Sequence, residues 1–412
     1  TNSADIYTKG RSSLAINVQS IGGGGGTIAS SSGSLALGAL KFAGSTDGGS
    51  ITFTNTGTTQ TQGDFASALF LQSVGGGGGN VGGSDDAGLA SLGARDSVGG
   101  NSSTAGNVTV TLSGKQASTT GRGSPVLTIQ SIGGGGGRVA DSKAAIGLGG
   151  NSLQQADGGS IALANSTQLS SNGVDSAAAV VQSIGGGGGM VARVSGVGIS
   201  LGGDHLNQAS GGALTVLNKA AMSSMGTNSP LLVTQSIGGG GGFTATTAGV
   251  VATSEELLLG SRNSNNVTGG NISLTNSATL QSAGTASDAL IAQSIGGGGG
   301  LVGRVGEGQR VFTVSLGASQ LNNGAAGTIN LTNRGERLYT EGDYAKALLV
   351  QSIGGGGGWA YLNSEGGSTS RLGGNQNSGT NSGGTITVTN SAELVSKGQG
   401  SGGMVLQSIG GG

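Results

Sequence analysis

The chain has no cysteine, two prolines, one histidine and a charged fraction of only 9%. Without cysteine there is neither a disulfide framework nor a thiolate metal site. An ordinary soluble domain is about a quarter charged. The sparse charge, with a net value of −1, leaves no global pull toward nucleic acid or an anionic membrane. Aromatic residues make up 3%. By length alone the 412 residues would suffice for two or three globular domains, but this composition argues against them. No stretch approaches the roughly eighteen consecutive apolar residues that cross a bilayer as a helix. The opening TNSADIYTKG has no basic region followed by an apolar core and does not read as a signal peptide. Nowhere is there a capped, helix-period segment.

What is abundant is glycine, 93 residues, and small apolar side chains within a hydrophobic fraction of 34%. Disordered chains are poor in hydrophobic residues and rich in charge, the reverse of this pattern. Short runs of Ile, Val, Leu and Ala suit many thin strands.

Self-similarity dominates the chain. Gln-Ser-(Ile/Val) followed by a glycine run occurs eight times, at Gln19, Gln72, Gln130, Gln182, Gln235, Gln293, Gln351 and Gln407, with spacings of 52 to 58 residues. The motifs end near residues 26, 79, 137, 189, 242, 300, 358 and 412. Nine residues before each glutamine stands a glycine: Gly10, Gly63, Gly121, Gly173, Gly226, Gly284, Gly342 and Gly398. A turn needing positive φ is the expected reason. A third element reads Gly-Gly-x-Ile-x-Leu-Thr-Asn, as in GGSITFTN (48–55) and GGNISLTN (269–276), with apolar residues in strict alternation. Period two with β-branched residues predicts a half-buried strand. The Gln-containing strand is apolar on both faces, as at Leu69, Phe70 and Leu71, and should lie between two layers. Length varies mostly between the glycine run and the next Gly-Gly, as loops allow; Leu-Gly-Gly recurs there, at Leu148 and Leu201.

The fold class expected is all-β: a parallel β-solenoid in which each repeat covers its neighbour's apolar face. Parallel stacking places Gln over Gln, and amide ladders stabilise such stacks. At about 4.8 Å per coil, eight coils make a rod of roughly 40 Å, or about twice that with two coils per repeat. The glycine runs are expected to form an internal strand or arch, the alternative being a surface loop. Residues 1–412 read as one repeat array, and the missing edge caps suggest a piece of a longer one.

The unit from Leu274 to Gly300, Leu-Thr-Asn-Ser through Ala-Gln-Ser-Ile and five glycines, resembles the passenger repeats of large bacterial autotransporters, the type V secretion proteins of Gram-negative bacteria. Pro125 and Pro230 depart from that pattern. The resemblance implies an extended β-helix on the bacterial cell surface, held at the outer membrane through a part not in this chain and serving adhesion, aggregation or biofilm formation. A signal peptide and a translocating barrel, neither within this chain, would complete such a protein. Expected partners are neighbouring repeats, further copies in a filament, and host or surface glycans or proteins, but not nucleic acid.

Chemistry-bearing motifs are scarce, so no catalytic, cofactor or metal residues are assigned and enzyme activity is not expected. The lone His205 beside Asp204 reads as a solvated loop pair. Asp85-Asp86 and Glu255-Glu256 are adjacent carboxylates that point apart on extended backbone. No Gly-Lys-Ser/Thr follows any glycine run, which rules out a phosphate loop, and the calcium nonapeptide is missing. Remote alternatives are a polysaccharide-active β-helix enzyme and an ice-binding solenoid using outward Thr-x-Thr pairs such as Thr52 and Thr54. Trp359 and Phe243 are expected to pack, with ligand contact the lesser alternative.

Overall fold

A computed structural model describes residues 1–411 apart from 39–40, 43, 84–88, 94–95, 98–101, 144, 195–197, 249–255, 308–312, 363–368 and 375. Asp85-Asp86 and Glu255 lie outside the described residues. Every strand pairing among the described residues is parallel and joins equivalent positions of successive repeats, as Gln19 with Gln72 and Gln72 with Gln130. There is therefore one coil per repeat, and the chain is a parallel β-solenoid. One coil carries five main strands, for example Ile161–Asn165, Gln168–Ser171, Ala179–Ile184, Gly188–Val194 and Ile199–Leu201. Stacked, these give five long sheets of seven or eight strands. They are called here the Thr-Asn, short, glutamine, glycine and outer sheets. A three-stranded sheet (Asn263–Thr268, Gln320–Ala325, Gln376–Ser378) is added in the later coils.

The alternation read from the sequence sets the layers. In Ile272–Asn276 the residues Ile272 and Leu274 are buried and Ser273 is exposed. The inward residues meet one face of the glutamine sheet, Leu290 and Ala292, and the short sheet's Leu280 in a core running the length of the stack. The opposite face of the glutamine sheet packs Ile291 against Leu301 of the glycine sheet. A further apolar layer, with Val302 and Leu316, joins the glycine and outer sheets. The glutamine strand is thus covered on both sides, and all six of its residues are buried in Leu290–Ile295. Burying each Leu or Ile contributes about 1.5–3 kcal/mol.

The glycine run is internal. In Gly238–Gly242 every residue is buried. The second and third glycines adopt φ of +79° and +84°, and the last two open the next strand at +133° and +142°, all values that side-chain-bearing residues avoid. Coils touch through backbone here: Gly240 N–H donates to Gly185 O at 2.7 Å, and Ser261 N–H to Gly239 O at 2.8 Å. Close approach also explains the glycine after Leu201: a Cβ on Gly240 would fall on the Gly202 Cα, and a Cβ on Gly202 would strike the backbone of Gly260 in the next coil.

One expectation is corrected. None of the eight turn glycines lies in the positive-φ region. A methyl group on Gly284 would instead strike the carbonyl of Gly226, its equivalent one coil earlier. Parallel stacking, not local turn geometry, selects glycine there. The left-handed residue stands two positions later, as Ser12, Phe65, Gly123, Asp175, Asn228, Ala286, Tyr344 and Gly400, with φ between 52° and 65°. The left-handed region costs a side-chain-bearing residue about 1–2 kcal/mol, against about 0.5–1 kcal/mol for the extra freedom glycine loses on folding. Ala286→Gly is accordingly expected to raise stability by roughly 0.5 kcal/mol, read as a small upward shift in a thermal melt. A downward shift would mean the site does not hold the strain assigned to it.

Candidate functional site

The repeat residues form three hydrogen-bonded columns. In the first, each glutamine Nε2 donates to Oε1 of the next: Gln19 to Gln72 at 2.9 Å, Gln72 to Gln130 at 2.9 Å, Gln130 to Gln182 at 2.9 Å, Gln182 to Gln235 at 2.8 Å, Gln235 to Gln293 at 2.7 Å, Gln293 to Gln351 at 2.7 Å and Gln351 to Gln407 at 2.6 Å. Several of the same Nε2 groups also face the carbonyl of the last glycine of their own run, as Gln235 to Gly242 at 3.4 Å.

The other two columns went unread in the sequence. The serine after each glutamine joins the glutamine strand to the Gly-Gly before the Thr-Asn strands. Ser236 Oγ donates to Gly212 O at 2.8 Å and accepts from Gly270 N–H at 2.8 Å. Ser73, Ser131, Ser183, Ser294 and Ser352 repeat the pair of bonds. This bridge gives the serine after each glutamine a fixed partner in the second residue of the Gly-Gly pair, which is glycine even where the first is Ala105 or Ala326. The asparagine ending each Thr-Asn strand stacks likewise, Asn165 to Asn218 to Asn276 to Asn333 at 2.8 Å per step. Leu112 interrupts that column. The signal was the asparagine itself, recurring at one position of the third element.

On the surface, an open groove of about 750 Å³ lies beside the three-stranded sheet. It is built where the variable segments bring amide residues into register: Asn263, Gln320 and Gln376 form one column, and Asn265, Asn322 and Ser378 another. Between them Leu206 and Leu321 point inward and are buried. Asn266 and Asn323, with φ of 48° and 61°, conformations that Asn tolerates, interrupt the pairing, which resumes at Val267 with Gly324. Asn207 Nδ2 donates to Gln154 Oε1 at 3.0 Å, and Asn323 Nδ2 to Asn266 Oδ1 at 3.1 Å. His205 borders the groove, its Nδ1 3.2 Å from Asp204. The lining is a regular array of uncharged donors and acceptors, suited to a hydroxyl-rich ligand. Among the described residues no group of three His, Cys, Asp or Glu could hold a metal ion.

The Thr-Asn sheet presents a second regular surface. Its outward ranks carry Thr52, Thr109, Thr215 and Thr387, broken at Ala162, Ala164 and Leu217. Phe243 is 1% exposed and packs with Met190 and Leu301. Trp359 packs against the same layer, 6.1 Å edge-to-face from Tyr361.

Two ionic features lie in that layer. Arg138 is fully buried; Nη1 donates to Asn80 Oδ1 at 3.0 Å and Nη2 to Gly123 O at 2.7 Å. Burial pulls its pKa down to about 10. Further along, Asp288, Lys346 and Tyr361 form a buried polar cluster. Sequence reading passed over both because they occur once, whereas the repeat pattern draws the eye to what recurs.

Comparison of the chain with protein-family models, with characterised proteins and with solved structures finds no match.

Proposed function

We propose that this chain is a structural and adhesive segment of an extracellular fibre or stalk on a Gram-negative bacterial surface, an autotransporter passenger in kind. The observation that carries the reading is the unbroken glutamine column through all eight coils. It makes the array a continuous rod whose length scales with repeat number, as a spacer requires. The invariant residues face inward, so their repetition serves extension, and contact falls to the variable segments that build the amide groove. Uncharged amides in regular ranks fit surface glycans better than acidic or basic partners.

Electron microscopy of arrays of four, six and eight repeats tests extension: length is expected to grow by about 4.8 Å per repeat. Glycan-coated beads test adhesion. The array is expected to bind them, and a version with Asn207, Asn265 and Asn322 replaced by alanine to bind several-fold less while remaining a rod. Equal binding by both would remove the groove from the adhesive role. Length that does not follow repeat number would overturn the spacer reading.

A further inference from the structure

Asp288 and Lys346 occupy the same place in successive coils, four residues after the turn glycines Gly284 and Gly342. The equivalent positions elsewhere hold Leu14, Ser67, Pro125, Ala177, Pro230 and Gly402. Stacking therefore sets Asp288 against the next coil at Lys346, whose backbone N–H donates to Asp288 Oδ1 at 2.6 Å, while the side-chain amine reaches the carboxyl through Tyr361. Both are deep in the stack, Asp288 at 0% and Lys346 at 4% exposure. Tyr361 Oη donates to Asp288 Oδ2 at 2.5 Å and accepts from Lys346 Nζ at 3.2 Å. One phenol oxygen thus bridges the amine and the carboxyl. Nζ sits 4.1 Å from the Trp359 ring centroid and 4.6 Å from that of Tyr361, roofed by aromatic faces rather than water.

A buried acid and a buried amine held apart by a hydroxyl are costly as ions. Burial pushes the Asp288 carboxyl up and the Lys346 ammonium down, each toward its neutral form. A neutral amine is a nucleophile, and a protonated carboxyl can release water.

We propose that Lys346 and Asp288 condense to an intramolecular isopeptide bond that covalently joins two successive coils. The C–N bond forms as the Lys346 Nζ lone pair attacks Asp288 Cγ. The bond from Cγ to one carboxyl oxygen breaks. That oxygen leaves as water with its own proton and one proton from the amine, relayed by the Tyr361 hydroxyl that already touches both groups. The product is a secondary amide plus one water, with nothing oxidised or reduced and no further reactant required. The dry aromatic surround favours the forward direction, since condensation removes two ionisable groups from a buried site and expels water from it. The bond closes a loop from Asp288 to Lys346 and would lock the two coils together beneath Trp359 and Tyr361.

Intact-mass spectrometry of the purified array tests this. The expected mass is that of the sequence less one water, and trypsin is expected to leave Lys346 uncut, yielding a branched peptide that joins its segment to that of Asp288. Lys346→Arg is expected to restore the full sequence mass, and Tyr361→Phe to slow formation at least tenfold in freshly made protein. Asp288→Asn separates chemistry from folding: it is expected to lose ammonia in place of water at the same branched peptide. The full sequence mass in the unaltered protein, with separate linear peptides for both segments, would overturn the proposal and leave a hydrogen-bonded trio. So would a water loss confined to one linear peptide.

Discussion

Gly241→Ala is expected to destabilise the array by roughly 3–6 kcal/mol, the sum of a backbone clash and a strained φ. The methyl would land on the carbonyl oxygen of Gly299 in the next coil, and Gly241 itself sits at φ +133°. Neither neighbour can give way, because both are backbone inside a hydrogen-bonded sheet. Gly33→Ala is the matched control: nothing lies within 4 Å of its added carbon and its φ is ordinary. Denaturant melts of the two variants should therefore separate widely, Gly33→Ala staying within about 0.5 kcal/mol of the parent. Similar losses in both would mean that the glycine run is not the tight internal contact described above.

Gln235→Leu is expected to cost roughly 2–5 kcal/mol, because leaving a buried amide group unpaired costs about 1–3 kcal/mol. Leucine fills a similar volume but strands the Gln182 Nε2 donor on one side and the Gln293 Oε1 acceptor on the other. The sharper test is the triple change of Gln182, Gln235 and Gln293 to leucine. Inside that block no amide remains to be orphaned, and only Gln130 and Gln351 face leucine. The triple variant should then cost about as much as the single one. A cost near three times the single value would show that each glutamine contributes through its own packing instead of through the column.

The glutamine and apolar registers were readable because parallel stacking turns repetition in sequence directly into contact in space. Ile291 lies beside Leu349 for the same reason that their motifs align. The reading failed where a residue's partner is not its own equivalent. Ser236 bonds to backbone 24 residues before it and 34 after, and no residue pattern announces a carbonyl or an N–H. Gly284 misled for a related reason: a local turn and a close inter-coil approach both demand glycine, and only the structure separates them. Asp288 and Tyr361, 73 residues apart, meet because the coil folds back on itself between the glutamine and glycine sheets. The amide groove was legible only as a stretch rich in Asn, since its register depends on segments whose lengths differ between coils.

The glutamine column also has a direction. Every Nε2 reaches toward the C-terminal neighbour, and Asn165, Asn218, Asn276 and Asn333 point the same way. A glycine carbonyl facing the Nε2 of Gln72, Gln182, Gln235, Gln293 and Gln351, such as Gly242 O for Gln235, fixes which end is nitrogen there. Reversing a single amide would set two donors head to head and two acceptors back to back, so the whole file must share one sense. The rod is consequently a vector with unlike ends: a coil joining at the C-terminal end must offer an oxygen, and one joining at the N-terminal end a donor. Two such rods can lengthen each other head to tail through this column but cannot meet tail to tail.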